Sequence, residues 1–140
     1  MKKKTICVVG LGYIGLPTAA LLANKGYKVN GVDINESIVS KINKGEIHII
    51  EKDLSALVKL AVKTGKLEAF NKIQKSDIYI ICVPTPLNTN SNIPQPNIEY
   101  VSSAFLSIAS FIKPNDLIIL ESTSPVGTTE KMKKILVDHG

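Results

Sequence analysis

The 140-residue sequence predicts an α/β fold in which helices wind on both faces of a parallel sheet, a doubly wound architecture. Three observations carry that prediction. Short apolar, β-branched runs alternate with helix-period segments along the whole chain. The first run leads through Gly10-Leu11-Gly12-Tyr13-Ile14-Gly15 directly into a helical segment. The second run closes on Asp33, 18 residues after Gly15, near the spacing of about 20 that pairs with such a turn.

The elements follow in order. Residues 5–9 form the first strand, and a helix over 14–25 is closed by Gly26. Residues 28–32 form the second strand, followed by a helix over 35–43 that Gly45 ends. After a loop over 45–51, residues 54–64 read as a helix with Leu54, Leu57, Val58 and Ala61 on one face. A short third strand covers 67–70. The run Ile78-Tyr79-Ile80-Ile81-Cys82-Val83 is the fourth, buried on both faces and stopped by Pro84-Thr85-Pro86. Residues 87–97, rich in Asn and Pro, read as a loop before a helix over 98–112. Residues 116–120 make the fifth strand, and a last helix starts near Thr128 and runs to the final residues. The sheet is thus expected to be truncated after about five strands, within one domain over residues 1–140.

The glycine turn has a chemical reading. Gly10 permits a tight exit from the strand, Gly12 has no Cβ and lets backbone approach a pyrophosphate, and Gly15 lets the helix pack close to the sheet. The phosphates then meet the unpaired N–H groups and positive dipole end of the helix. Pro17 fits a first helical turn, where one N–H can be lost without cost. Asp33 accepts hydrogen bonds from the adenosine ribose hydroxyls and repels a 2′-phosphate, so NAD is favoured over NADP. The chain has no arginine to clamp that phosphate. A second role open to Asp33 is capping the helix that starts near Asn35.

The net charge of +5 comes from lysines scattered along the chain, and with no arginine and only four Tyr and three Phe it reads as solvated surface, not a nucleic-acid interface. No apolar run approaches the ~18 residues of a membrane span, and a cytoplasmic setting is expected. Cys7 and Cys82 fall within strands and read as buried small hydrophobes, with neither a nucleophile nor a metal pair implied. His48 has no companion at metal-binding spacing and reads as structural, and His139 as solvated.

In doubly wound sheets ligands lie beyond the carboxyl ends of the strands. Thr85 follows the fourth strand there and Thr123 the fifth, each with a hydroxyl able to donate and accept near a cofactor. Thr128 and Thr129 compete as caps of the last helix, with Glu130 favouring its dipole.

Three motifs in order, the 10–17 glycine turn, Val83-Pro84-Thr85-Pro86 and Glu121-Ser122-Thr123-Ser124-Pro125-Val126-Gly127, make the chain resemble the N-terminal domain of the UDP-glucose/GDP-mannose dehydrogenase family. Segments 44–51 and 121–130 most resemble members acting on UDP-N-acetyl-D-mannosamine. The resemblance implies that Gly10, Gly12, Tyr13, Ile14, Gly15, Asp33, Thr85, Thr123 and Thr129 touch NAD. It implies oxidation of the C6 hydroxyl of a UDP-sugar to a carboxylate in two hydride transfers, through a cysteine-linked thiohemiacetal and thioester, for surface polysaccharide synthesis. The family's catalytic cysteine, lysine and asparagine match nothing up to Gly140, so no catalytic residue is assigned here and the chain alone is expected to be inactive. Lys52 departs from the proline usual after the glutamate. A stand-alone NAD-binding or redox-sensing module is the alternative, and the complete glycine motif argues against a methyltransferase. The fifth strand, apolar over 117–120, is expected either to self-associate through its open edge or to lie under the last helix.

Overall fold

The computed structural model describes residues 3–90 and 92–139. Ser91, within the expected 87–97 loop, and Gly140, at the expected end of the last helix, lie outside the described residues. Five strands, β1 (Thr5–Val9), β2 (Lys28–Val32), β3 (Leu67–Phe70), β4 (Ile78–Ile81) and β7 (Leu117–Leu120), form a sheet of order β3-β2-β1-β4-β7. Every neighbouring pair is parallel, in registers such as Val9↔Val32, Val9↔Ile81 and Ile81↔Leu120. Chain order reverses between β1 and β4, which makes their carboxyl ends the switch point where doubly wound sheets bind ligands.

Helices cover both faces, as the alternating pattern requires. On one, α1 (Gly15–Asn24), α2 (Glu36–Asn43) and α3 (Leu54–Lys63) bury Leu16, Ala19, Ile42, Leu54 and Val58 against Val8, Val29 and Leu67. On the other, α4 (Glu99–Ile108) and α5 (Thr128–His139) bury Val101, Phe105, Ile108 and Met132 against Cys7, Val9, Tyr79 and Ile81. Both faces of β1 and β4 are therefore covered, the reason these strands read as unbroken apolar runs.

Three expectations shift. The fourth strand ends at Ile81 rather than Val83. α4 stops at Ile108 instead of 112, its chain continuing as a turn in which the Phe111 N–H reaches the Ile108 carbonyl at 2.9 Å. Lys113 precedes Pro114 and is therefore disfavoured in helical backbone. The 87–97 loop folds back on itself, pairing β5 (Leu87–Asn88) antiparallel with β6 (Gln95–Pro96), while the Asn97 N–H donates to the Pro86 carbonyl at 2.8 Å.

The two sheet edges differ. At β3 the Asn43 amide takes the place of a neighbouring strand: its Nδ2 donates to the Ala69 carbonyl at 2.9 Å and its Oδ1 accepts the Ala69 N–H at 2.8 Å. At β7, α5 packs beside Ile118 and Leu120 on one face, while Leu117 stays 52% exposed.

Candidate cofactor site

The glycine loop is built by two backbone approaches that a side chain would block. Gly10 leaves β1 at φ +93°, its N–H bonded to the Val32 carbonyl at 2.8 Å, and a Cβ there would stand 2.6 Å from the Cys82 carbonyl oxygen. A Cβ on Gly15 would stand 1.7 Å from the Gly10 carbonyl oxygen, so α1 can begin against the loop only because this residue has none. Gly12 differs: a Cβ would meet nothing within 4 Å. The space over Gly12 is open, as an approach route for a ligand demands.

Among the described residues, no protein acceptor faces the N–H groups of Gly12, Tyr13, Ile14 or Gly15. The N-cap residue Ile14 supplies no side-chain cap, and α1 carries no acidic residue in its first turn. In α2, by contrast, Asn35 Oδ1 accepts the Ser37 N–H at 3.0 Å and Glu36 complements the dipole. The start of α1 thus keeps unpaired donors and an uncompensated positive dipole end at the switch point, the electrostatics that receive a diphosphate. Tyr13 and Ile14 are largely exposed there.

Asp33 stands at the carboxyl end of β2, its N–H bonded to the Phe70 carbonyl at 3.1 Å. Its Oδ2 accepts the Leu11 N–H at 3.1 Å and its Oδ1 the Asn35 N–H at 2.9 Å. The capping role open to Asp33 belongs instead to Asn35. The carboxylate ties the second strand to the glycine loop, and each oxygen keeps acceptor capacity for a ribose hydroxyl.

Beyond β4 and β7 lie Thr85, half-buried, and Thr123, exposed. Their loops are joined by Ser122, whose hydroxyl donates to the Val83 carbonyl at 2.8 Å. Ser122 was not among the residues the motifs single out, although it lies inside the 121–127 segment. Thr128 is buried and its hydroxyl donates to the Pro125 carbonyl at 2.7 Å. Exposed Thr129 instead lines a groove of about 200 Å³ with Phe105, Ile118, Leu120, Lys133 and Leu136, and no described hydrogen bond links it to the glycine loop.

Cys82 lies under the loop, its Cβ 3.1 Å from where a Gly15 side chain would begin. Burial pushes its thiol up to about 11, and that of Cys7 to about 11 as well, so both stay protonated and neither is an activated nucleophile. His48 keeps a buried Nδ1 without a hydrogen-bond partner, and the exposed His139 places its Nδ1 2.9 Å from the Ile135 carbonyl oxygen. No group of three His, Cys, Asp or Glu able to hold a metal occurs among the described residues. A second cavity of about 200 Å³, lined by Thr5, Lys75, Ser76, Asp77 and Lys113, opens at the amino ends of the strands, opposite the ligand end.

Residues 4–140 match the family model described as the UDP-glucose/GDP-mannose dehydrogenase family, NAD binding domain. The chain belongs to this family. The matched domain is an NAD binding domain, so the cofactor of this fold is NAD. Among relatives in the family, the UDP-N-acetyl-D-mannosamine dehydrogenase of Campylobacter jejuni is 51% identical over 134 residues, covering 96% of this chain and 32% of the relative. The NDP-N-acetyl-D-galactosaminuronic acid dehydrogenase of Ralstonia nicotianae is 50% identical over 92% of this chain and 30% of the relative. Among solved structures, the UDP-N-acetyl-mannosamine dehydrogenase of S. aureus superposes with a TM-score of 0.90 at 38% identity, over 96% of this chain and 32% of that one. The chain spans about a third of the length of the relatives it matches. No helix among the described residues is long and apolar enough to cross a membrane.

Proposed function

We propose that this chain is the NAD-holding part of a UDP-sugar 6-dehydrogenase whose sugar nucleotide is UDP-N-acetyl-D-mannosamine, oxidised to its uronic acid for surface polysaccharide synthesis in the cytoplasm. The observation that carries the reading is the pairing of the bare α1 start with a carboxylate fixed beside it: four unpartnered N–H groups from Gly12 to Gly15, and Asp33 held by the Leu11 N–H. The similarity to UDP-N-acetyl-D-mannosamine dehydrogenases supports the choice of sugar. In this reading Gly12, Tyr13, Ile14 and Gly15 present N–H groups to the pyrophosphate, Gly10 forms the turn against which the cofactor lies, and Asp33 orients the adenosine ribose. Thr85 and Thr123 stand on the nicotinamide side, and Thr129 approaches from the first turn of α5. NAD supplies the hydride acceptor, and these residues bind and orient it.

The 140-residue chain carries no activated thiol, so it binds NAD without turning over the sugar nucleotide. Purified protein incubated with NAD and UDP-N-acetyl-D-mannosamine is expected to form no NADH. Sustained NADH formation that is abolished by Cys82→Ser would contradict this and make the buried thiol catalytic.

We also propose that the chain self-associates through β7. The Leu117 and Glu121 N–H groups point inward, to Asp77 and Ile81 at 3.1 and 2.9 Å, so by strand alternation those of Ile118 and Leu120 point outward. In a twofold pair centred on Ile119, Ile118 of one copy faces Leu120 of the other and both exchange hydrogen bonds. β3 carries the Asn43 block and β7 has no equivalent among the described residues. Light scattering is expected to show concentration-dependent dimers, lost in Ile118→Pro, which removes an outward N–H and leaves the inward N–H groups of the β4–β7 ladder in place. A strictly monomeric wild-type chain would refute it.

A further inference from the structure

We infer that Ser122 is a positioning residue that sets the spacing of the two loops facing the nicotinamide half of the cofactor; the inference rests on the NAD-binding reading above. The β4–β7 ladder ends at Ile81↔Leu120. Past that point the β4 chain enters Pro84-Thr85-Pro86, and the two prolines have no N–H with which to continue pairing. The β7 chain is held a little further: the N–H groups of Glu121 and Ser122 both reach the Ile81 carbonyl, at 2.9 and 3.1 Å. The Ser122 hydroxyl then reaches past the end of the ladder. Its Oγ lies 3.3 Å from the Ile81 carbonyl oxygen and 2.8 Å from that of Val83, and its single proton goes to the shorter contact.

That bond is the last described link between the two loops before the residues that face the ligand. Thr85 follows Val83 by two positions and Thr123 follows Ser122 by one, so the Ser122–Val83 bond fixes the base of both. The strand order decides which half of the cofactor feels it. In a sheet of order β3-β2-β1-β4-β7, the β1–β3 side with the glycine loop and Asp33 holds the adenosine diphosphate, and the β4–β7 side holds the nicotinamide mononucleotide. Ser122 itself turns its hydroxyl into the protein and is not a ligand contact. Its effect is exerted through Thr85 and Thr123.

Comparing two probes, NAD and ADP, by titration calorimetry separates this role from a general structural one. Ser122→Ala removes the bond and leaves the backbone links to Ile81 in place. It is expected to weaken NAD binding on the order of tenfold, the size of one lost hydrogen bond, while ADP, which occupies only the β1–β3 side, keeps its affinity within about twofold. Equal weakening of both probes would overturn the inference, because Ser122 would then merely stabilise the fold. Unchanged NAD affinity would overturn it too. Failure of the wild-type chain to bind either probe would instead refute the NAD-binding reading.

Discussion

Replacing Gly15 by alanine is expected to prevent the native loop from forming, whereas the same replacement at Gly12 leaves the fold intact and removes the cofactor. At Gly15 the new Cβ would lie 1.7 Å from the Gly10 carbonyl oxygen and 3.1 Å from the Cys82 Cβ. The nearer neighbour is backbone at φ +93° and cannot yield, and the partly buried Cys82 side chain lies beneath it. α1 would have to move off the sheet, breaking the packing of Leu16, Ala19 and Ala20, which are fully buried. A loss above about 3 kcal/mol follows, the range in which overpacking and disrupted core contacts add. At Gly12 a Cβ meets nothing within 4 Å and the backbone is not left-handed, so a stability change within about 1 kcal/mol is expected. The same methyl fills the space over the bare N–H groups and is expected to lower NAD affinity by an order of magnitude or more. Thermal unfolding and NAD titration of the two variants check the pair. A Gly12→Ala protein that binds NAD like the wild type would remove the diphosphate from this loop.

Asp33→Ala is expected to cost cofactor binding about 1–3 kcal/mol, the scale of hydrogen bonds to a charged group. The substitution acts twice. It removes the acceptor for the ribose hydroxyls, and it releases the Leu11 and Asn35 N–H groups that the carboxylate now holds at 3.1 and 2.9 Å, loosening the glycine loop from β2. Asp33→Asn keeps the second function in part, since one amide oxygen still accepts, but has no negative charge to repel a 2′-phosphate. In NAD and NADP titrations, Asp33→Asn is therefore expected to narrow the preference for NAD, with Asp33→Ala weakening both.

Local features of this fold are legible in the sequence and long-range ones are not. The strands were legible because each is set by a run of residues, and β1 at Thr5–Val9 and β2 at Lys28–Val32 stand as expected; the glycine turn and Asp33 are likewise marked by local composition and spacing, and the Leu11 N–H bond to Asp33 joins them. The residues that escaped are those whose role needs a partner far along the chain. Ser122 meets Val83 across 39 positions and Asn43 meets Ala69 across 26, and neither contact has a periodicity. Asp33 and Asn35 are equally good caps by composition, and only the Ser37 N–H shows which one serves. The early end of α4 and the β5–β6 pairing come from Pro114 and the Asn- and Pro-rich turn, where composition marks a break without giving its geometry.

Whether the α1 start and Asp33 together make an NAD site selective against the 2′-phosphate is decided by calorimetric titration of the wild-type chain with NAD and NADP under identical salt. Saturable NAD binding is expected, with NADP affinity at least about tenfold weaker, since the added phosphate meets the Asp33 carboxylate and no arginine. Equal affinity for the two cofactors would contradict it, by showing that the carboxylate bound to the Leu11 N–H does not face the ribose.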